Sequence, residues 1–300
     1  MNNRMAANVL QQIVKLFLIS GFTCFLSCLQ AQDFIPSKSL IKWDQLRMVR
    51  GKRNPSELYY AKINRTFEIT PHVFIDGKDT LISRAKIEAL LLLVNTYYQP
   101  AGISFTICSI DYFRGNALDT VSFVWKDYNA NDYLSKYYEP YTINMYFLKG
   151  IKSSSGLAAG ISLLPVNDPQ YKSDYVFIAE DGFSPSTIGH ELGHFFGLYH
   201  PHESVINGKE FANETNCSTA GDLLCDTPAE PDESLLKLVD SYCHYTGNIE
   251  ANIVDPNGDG YVPTTTNIMS YTPEKCVKGF TKDQFERMID VYYQYKTYLR

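Results

Sequence analysis

The chain gathers four of its six histidines in the segment STIGHELGHFFGLYHPHE, residues 186–203. His190 and His194 are four residues apart, so a helix would place both imidazoles on one face, one turn apart. Gly197 follows three residues later, and glycine allows the backbone to leave a helix in a left-handed conformation. The chain can then bring His200 back toward the first two imidazoles. This spacing predicts a helix, a break and three converging imidazoles.

Three neutral imidazoles with an open fourth position are typical of a catalytic zinc site, whereas structural zinc sites are closed by four protein ligands. Glu191 adjoins the first histidine and can act as a base on a water at the ion. His202 is predicted to lie beside the site without binding, because three imidazoles and a water already complete the set. An alternative takes the third ligand from a downstream glutamate, Glu210 or Glu214, although neither lies in a clear second helix.

The N-terminus predicts export. Two basic residues, Arg4 and Lys15, precede an apolar run of about a dozen residues, which is the length of a signal-peptide core and short for a membrane span. We therefore expect residues 1–31 to be a signal peptide, with cleavage after Ala31 or lipidation at Cys28. The protein would be secreted, or held at the cell surface or outer membrane as a lipoprotein, touching a membrane only through that anchor.

The net charge of −6 and a single short basic cluster, RGKR at 50–53, argue against a nucleic-acid partner. Residues 32–64 are polar and show no period, which predicts a leader, pro-segment or linker. No cysteine lies between residues 29 and 107, so a pro-segment here would act through another group, such as Asp44 or another carboxylate, or would not cause latency at all.

The rest of the chain, residues 65–300, is predicted to be one α+β catalytic domain. Strands are expected in RTFEITPHVFIDG, GISFTICSIDYF, YTINMYFLKG and DYVFIAEDG, with Cys108 as a buried core thiol of the second. Helices are expected in SRAKIEALLLLVNTYYQP, from Ser184 through the histidines, and in KDQFERMIDVYYQYKTYL. SSSGLAAGISLLP reads as a loop or an edge strand, and 201–262 as loop-rich.

Two further segments carry a family resemblance. The extended histidine motif, followed by Met269 in NIMSYTPEKC, resembles the metzincin metallopeptidases. Within them, GDLLCDTPAEPD at 221–232 and NIMSYTPEKCVKGFTKDQFERM at 267–288 are similar to segments of the pappalysin family. The resemblance covers roughly residue 140 to the end.

The resemblance implies a two-lobed metzincin-type domain, with an N-lobe at 65–200 and a loop-rich C-lobe at 201–300 that ends in a helix. Its twisted, mostly parallel sheet would carry an edge strand, GLAAGISLL, that pairs with an extended protein or peptide substrate. The implied activity is that of a zinc endopeptidase. Met269 would pack beneath the three imidazoles, and Tyr271 would stabilise the oxyanion of the reaction.

The resemblance also implies the disulfides Cys217–Cys225 and Cys243–Cys276, whereas the residues alone leave three pairings open. It implies structural calcium near Asp222, Asp226 and Thr227. DPNGDG, with Asp255, Asn257 and Asp259 at alternating positions, is either a second oxygen-ligand cluster or a polar turn. Thr266 stands where an EF-hand needs a glutamate, which excludes that motif.

A different class of protein also fits the histidines: an exported adhesion or binding module that retains a zinc site without turnover. Glu191 argues against it, because a structural metal site does not need a base.

Overall fold

The computed structural model describes residues 62–114, 119–124, 129–165, 174–232, 234–247 and 252–300. The predicted signal peptide, Cys28, Asp44 and nearly all of the predicted leader lie outside these ranges. Within them, no helix is both long enough and apolar enough to cross a membrane.

The main sheet has seven strands and is mostly parallel, as the resemblance to metzincins implies. Its strands are β1 Arg65–Asp76, β2 Asp79–Thr80, β3 Ile103–Ile107, β4 Asp111–Phe113, β6 Ile143–Leu148, β9 Gly160–Ser162 and β10 Tyr175–Ala179. Strand β1 pairs in parallel with β3, β4 and β6, and β6 pairs in parallel with β10. The short strands β2 and β9 are antiparallel, and β9 lies at the edge beside β10.

The two central strands explain the arrangement. Every residue of β6, INMYFL, and of β10, YVFIA, is buried. Strands that are apolar throughout suit a parallel sheet that is covered on both faces. A smaller sheet has three strands, β5 Thr120–Ser122, β7 Gly150–Ser153 and β8 Gly156–Leu157. Strand β8 directly precedes β9 in the chain.

Four α-helices complete the described part: α1 Arg84–Tyr98, α2 Ala130–Tyr137, α3 Pro185–Phe195 and α4 Lys282–Val291. Ser83 caps α1 and Ser184 caps α3, each accepting a hydrogen bond from a backbone amide three residues on. Thr281 and Gln284 form a capping box at α4, which continues as a π-helical turn at Tyr292–Lys296. Tyr98 on α1 donates a hydrogen bond to the Gly189 carbonyl, so the predicted long helix holds α3 directly.

One prediction about the sheet is wrong. The run GISFTICSIDYF forms two short strands, β3 and β4, which pair successively with β1. The chain leaves the sheet between them, and Cys108 lies in that break, exposed as a free thiol rather than buried in the core. An apolar run showed strand propensity, but nothing in it indicated where the pairing stops.

The C-terminal segment packs against the end of α3. Lys296 forms a buried ion pair with Asp174, which also accepts hydrogen bonds from Tyr138 and Tyr298. The Lys296 ammonium lies 4.2 Å from the centre of the Phe195 ring, at the last residue of α3. The loop-rich region after residue 200 contains both predicted disulfides, Cys217–Cys225 and Cys243–Cys276.

Candidate metal centre and active site

Helix α3 carries the first two histidines into the interior. Pro185 occupies its first turn, and the helix ends at Phe195, one residue after His194. Gly197 follows with a φ of 85°, the left-handed conformation that the sequence predicts. The chain reverses there, and His200 returns to the two helical imidazoles from outside the helix.

The three imidazoles converge. The Nε2 atoms of His190, His194 and His200 lie 3.0 to 3.1 Å from one another, and all three residues are buried. They form a cluster of potential metal ligands in the described part of the chain, and neither Glu210 nor Glu214 belongs to it. The geometry thus favours His200 over a downstream glutamate as the third ligand.

Hydrogen bonds at the outer nitrogens decide how two of the rings are protonated. His190 Nδ1 lies 2.8 Å from the Ile268 carbonyl oxygen, and His194 Nδ1 lies 2.7 Å from that of Leu198. A carbonyl only accepts, so each Nδ1 carries the proton and each Nε2 presents a lone pair to the centre. His200 differs, because its Nδ1 has no hydrogen-bond partner among the described residues.

Burial keeps these rings neutral. Desolvation lowers the pKa of His190 to about 4 and the pKa values of His194 and His200 well below the usual range. Neutral imidazoles whose lone pairs meet in a buried space repel one another unless a cation lies between them. The donor set therefore fits a divalent metal, and three nitrogen ligands suit zinc.

Glu191 lies beside the cluster on α3. Burial raises the pKa of its carboxyl to about 8, opposed by a hydrogen bond from the Ser162 backbone. Its Oε2 atom has no hydrogen-bond partner among the described residues. Gly160 on β9 comes so close that a Cβ there would lie 2.6 Å from Glu191 Cγ. The edge strand and the carboxylate are thus in direct contact.

The segment after Asn267 closes the site from below. Met269 is fully buried, and a Cβ at Gly193 would overlap its sulfur, so this methionine packs against α3 under the histidines. Asn267 Oδ1 accepts a hydrogen bond from the Met269 backbone amide. The Tyr271 ring lies 5.7 Å from the His190 ring and 4.9 Å from the His200 ring, between centres. The structure therefore brings both predicted residues to the cluster.

A cleft opens onto these side chains. One wall is the β7–β8 hairpin and β9, and the other contains Glu191, the three histidines and Tyr271. The residues of the first wall are small or apolar: Ser153, Ser155, Ala158, Gly160, Ile161 and Ser162. Strand β9 thus lies along the cleft at the edge of the sheet, where the sequence predicts a loop or an edge strand.

The predicted calcium residues have different surroundings. Asp226 accepts hydrogen bonds from Thr281 Oγ1 and the Asp283 amide, at the start of α4. Asp222 is fully buried, and its Oδ2 atom has no hydrogen-bond partner among the described residues. In DPNGDG, Asp255 accepts hydrogen bonds from the backbone amides of its own turn, the pattern of a polar turn.

Sequence reasoning missed three residues near the site. Gly160 and Ser162 contact Glu191 from the edge strand, and no sequence signal links positions that far apart. Glu230 is a buried carboxylate that faces His202, the histidine that the sequence places beside the site without a role. In DTPAEPD, the segment that carries Glu230, the family resemblance points only to Asp226 and Thr227.

Comparisons with known proteins agree with this geometry. The model of the M43 peptidase family, described as pregnancy-associated plasma protein-A, matches residues 124–292. A protein named extracellular metalloprotease from Arthroderma gypseum is 28% identical over 269 residues, which cover 85% of this chain and 80% of the relative. Another of that name, from Pyricularia oryzae, is 27% identical over 280 residues and covers 87% of both chains.

Solved structures share the fold. Mirolysin in complex with compound 9 aligns with a TM-score of 0.53 and 18% identity, covering 76% of this chain and 91% of that one. Tannerella forsythia mature mirolysin in complex with a cleaved peptide aligns with a TM-score of 0.50 and 17% identity, covering 78% and 93%. With a family model that spans more than half of the residues, the chain belongs to the M43 family of pregnancy-associated plasma protein-A, a pappalysin-type metzincin, and is a zinc metalloendopeptidase.

Proposed function

We propose that this protein is an exported endopeptidase in which His190, His194 and His200 hold the zinc and Glu191 is the general base. The observation that carries the proposal is the convergence of three neutral Nε2 atoms within 3.1 Å, with a buried carboxylate beside them. Three imidazoles would hold the metal with one ligand fewer than a closed structural site, as catalytic zinc sites require.

Zinc held there supplies Lewis acidity that polarises oxygen atoms of water and substrate. Glu191 moves the proton: its Oε2 takes it from the attacking water and delivers it to the leaving amine. Burial alone would keep this carboxyl protonated at neutral pH, since it raises the pKa to about 8. A dication at the neighbouring imidazoles acts in the opposite direction and returns Glu191 to its basic form.

Tyr271 is proposed to stabilise the oxyanion. Its ring packs against the imidazoles of His190 and His200, and the residue also lines the cleft, which supports this role. Donors fixed before the reaction stabilise developing charge without the cost of reorganisation. Met269 is proposed to support the histidines through packing alone, without binding the metal.

The substrate is proposed to be an extended protein or peptide segment that pairs with β9, Gly160–Ser162, along the cleft. Pairing of this kind uses main-chain hydrogen bonds and therefore tolerates many side chains. The described residues of this wall that line the cleft are all uncharged.

Export is supported by the relatives, which are named extracellular metalloproteases. A signal peptide at 1–31 is consistent with it, and lipidation at Cys28 remains a prediction. We also propose the domain limits of the sequence: a leader at 32–64, then one catalytic domain at 65–300 with lobes that meet at residue 200.

A calcium ion near Asp222 and Thr227 is proposed as a structural element. Both carboxylate oxygens of Glu210 and one of Asp222 are buried without hydrogen-bond partners among the described residues. Burial raises the pKa of Asp222 to about 7 and that of Glu210 to about 8. A cation that both carboxylates share would offset this desolvation. Asp226 contributes less, because both of its oxygens already accept hydrogen bonds.

The proposal is tested with the mature chain and its Glu191→Gln variant, each given a denatured protein mixture and assayed for zinc. We expect one zinc in both and cleavage by the wild type alone, because the amide cannot accept the proton. Cleavage by the variant would contradict the general-base role. Zinc in both without any cleavage would instead favour a binding module.

The ligand set is tested in parallel by removing each potential third ligand. His200→Ala should lose zinc on dialysis, whereas Glu210→Ala and Glu214→Ala should retain it. Zinc loss in a glutamate variant would instead favour a downstream carboxylate as the ligand.

A further inference from the structure

A buried carboxylate lies behind the histidine cluster and has no part in the chemistry described above. Glu230 is 2% exposed and comes from the loop-rich region after residue 200. Its Oε1 atom accepts a hydrogen bond from the Ser270 hydroxyl, and Ser270 directly precedes Tyr271. Its Oε2 atom lies 3.6 Å from His202 Nδ1. One carboxylate thus contacts two segments that both reach the metal centre.

His202 transmits this contact to a metal ligand. Its ring lies parallel to the ring of His200, with a centre-to-centre distance of 4.7 Å and an interplanar angle of 15°. The same ring lies 4.8 Å from the Tyr271 ring. His202 therefore packs against the third ligand on one side and against the proposed oxyanion donor on the other.

The third ligand needs such support more than the other two. His190 and His194 are each fixed by a hydrogen bond from Nδ1 to a backbone carbonyl, and both lie on a helix. His200 lies beyond the helix, and its buried Nδ1 has no hydrogen-bond partner among the described residues. Metal-binding histidines usually gain orientation from a partner at the outer nitrogen. For His200, packing against the His202 ring takes the place of such a partner.

We propose that Glu230 is a positioning residue that, with His202, orients the His200 imidazole toward the metal and holds Tyr271 beside it. The carboxylate contacts His202 Nδ1 at 3.6 Å, an electrostatic contact rather than a hydrogen bond, and holds the Tyr271 segment through the hydrogen bond from Ser270. His202 then restricts rotation of the His200 ring by stacking. This inference rests on the proposed zinc site, and it assigns a role to two residues outside the ligand set.

The variants separate the two contacts. Glu230→Ala removes both, and His202→Ala removes the stacked ring while it leaves the Ser270 hydrogen bond. His202→Phe retains a ring against His200 but loses the nitrogen that faces Glu230. The matched control is the exposed pair of His244 and Asp240, whose side chains lie 3.4 Å apart with His244 76% exposed. His244→Ala and Asp240→Ala report the effect of losing such a pair elsewhere.

The readouts are zinc affinity by competition with a chelator, the visible spectrum of the cobalt-substituted protein, and kcat and KM measured separately. We expect Glu230→Ala and His202→Ala each to weaken zinc binding about tenfold, the lower end of outer-shell effects, and to alter the cobalt spectrum. His202→Phe should bind zinc more tightly than His202→Ala but less tightly than the wild type, because it retains the stacked ring and loses the contact with Glu230. The double variant should be no weaker than either single one, because both act through one contact. We also expect kcat to fall with KM nearly unchanged.

Two kinds of failure are distinguishable. If the wild type itself retains no zinc, or His200→Ala retains it, the proposed site is wrong. If the wild type binds zinc through His200 but His202→Ala binds it as tightly with an unchanged cobalt spectrum, the positioning role is wrong. If Glu230→Ala does not fold, the two His202 variants still test the positioning role. They are expected to fold, because His202 is partly exposed and its substitution leaves the hydrogen bond between Ser270 and Glu230 in place.

Discussion

Gly160→Ala is the substitution whose effect the structure defines most sharply. The φ of Gly160 lies outside the left-handed region, so alanine is compatible with the backbone, and the consequence is steric. The new Cβ would lie 2.6 Å from Glu191 Cγ, 2.7 Å from Oε1 and 2.9 Å from Cδ. Either the carboxylate or the edge strand must move by about 0.8 Å to restore an ordinary contact near 3.4 Å.

A displacement of that size at a general base is costly, because misplacement by about 1 Å lowers rates by roughly 100-fold. We expect kcat to fall between about 10-fold and 100-fold. Zinc content should stay at the wild-type level, because the new methyl group contacts Glu191 and not the three histidines. KM should rise modestly if β9, rather than Glu191, is what moves.

The assay is steady-state cleavage of a peptide found among the products of the denatured mixture, with zinc measured in the same samples. Gly150→Ala is the matched control, since a Cβ at Gly150 meets nothing closer than 3.4 Å. It should leave kcat within about twofold of the wild type. If Gly160→Ala also cleaved at the wild-type rate, the close packing of β9 on Glu191 would not govern the position of the base.

Three further predictions concern stability. Asp174→Asn breaks the buried ion pair with Lys296 and should lower the free energy of unfolding, measured in urea, by about 3 kcal/mol or more. Its control, Asp76→Asn, breaks the exposed ion pair with Lys149 and should lower that free energy by less than about 1 kcal/mol. Equal losses in the two variants would refute the reasoning. Burial lowers the pKa of His72, although Asp111 lies 3.4 Å away. The unfolded chain therefore takes up a proton at this histidine more readily than the folded protein does. The folded protein is not penalised above the unfolded pKa of about 6.5, and it loses stability as the pH falls below that value. Between pH 7.5 and 5.5 the wild type should therefore lose more unfolding free energy than His72→Gln, by up to about 1.4 kcal/mol per pH unit, and parallel pH profiles would contradict this. Calcium at a hundredfold excess over its dissociation constant should stabilise the wild type by about 2.7 kcal/mol but not Asp222→Asn, and an unchanged melting temperature of the wild type would remove the calcium proposal.

Much of the site follows from spacing along a single segment. The interval between His190 and His194 fixes their common face, and Gly197 has the left-handed conformation that its position predicts. These features are local, because helix period and glycine freedom act over a few residues. The two caps at Ser83 and Ser184 were predictable for the same reason, whereas the parallel pairing of the central strands followed only from the family resemblance.

Other features needed contacts between distant parts of the chain. Cys108 is an example in the sheet. The apolar run around it predicts one continuous strand, but its pairing with β1 is interrupted and Cys108 lies in the gap. At the site, Gly160 contacts Glu191 and Glu230 contacts His202, and the members of each pair are about 30 residues apart in the sequence. Both carboxylate oxygens of Glu210 and one of Asp222 are buried without a hydrogen-bond partner among the described residues, and this too is evident only from the folded structure.

The sequence by itself determined the chemistry of this protein: which imidazoles converge, which carboxylate accompanies them, and the peptidase family to which they belong. Tertiary structure alone decided how that chemistry is held, since pKa shifts arise from burial and close approach arises from packing. Periodicity encodes the directions in which side chains leave one element. The neighbours that those side chains meet depend on where every other element has packed, and only the folded chain specifies that.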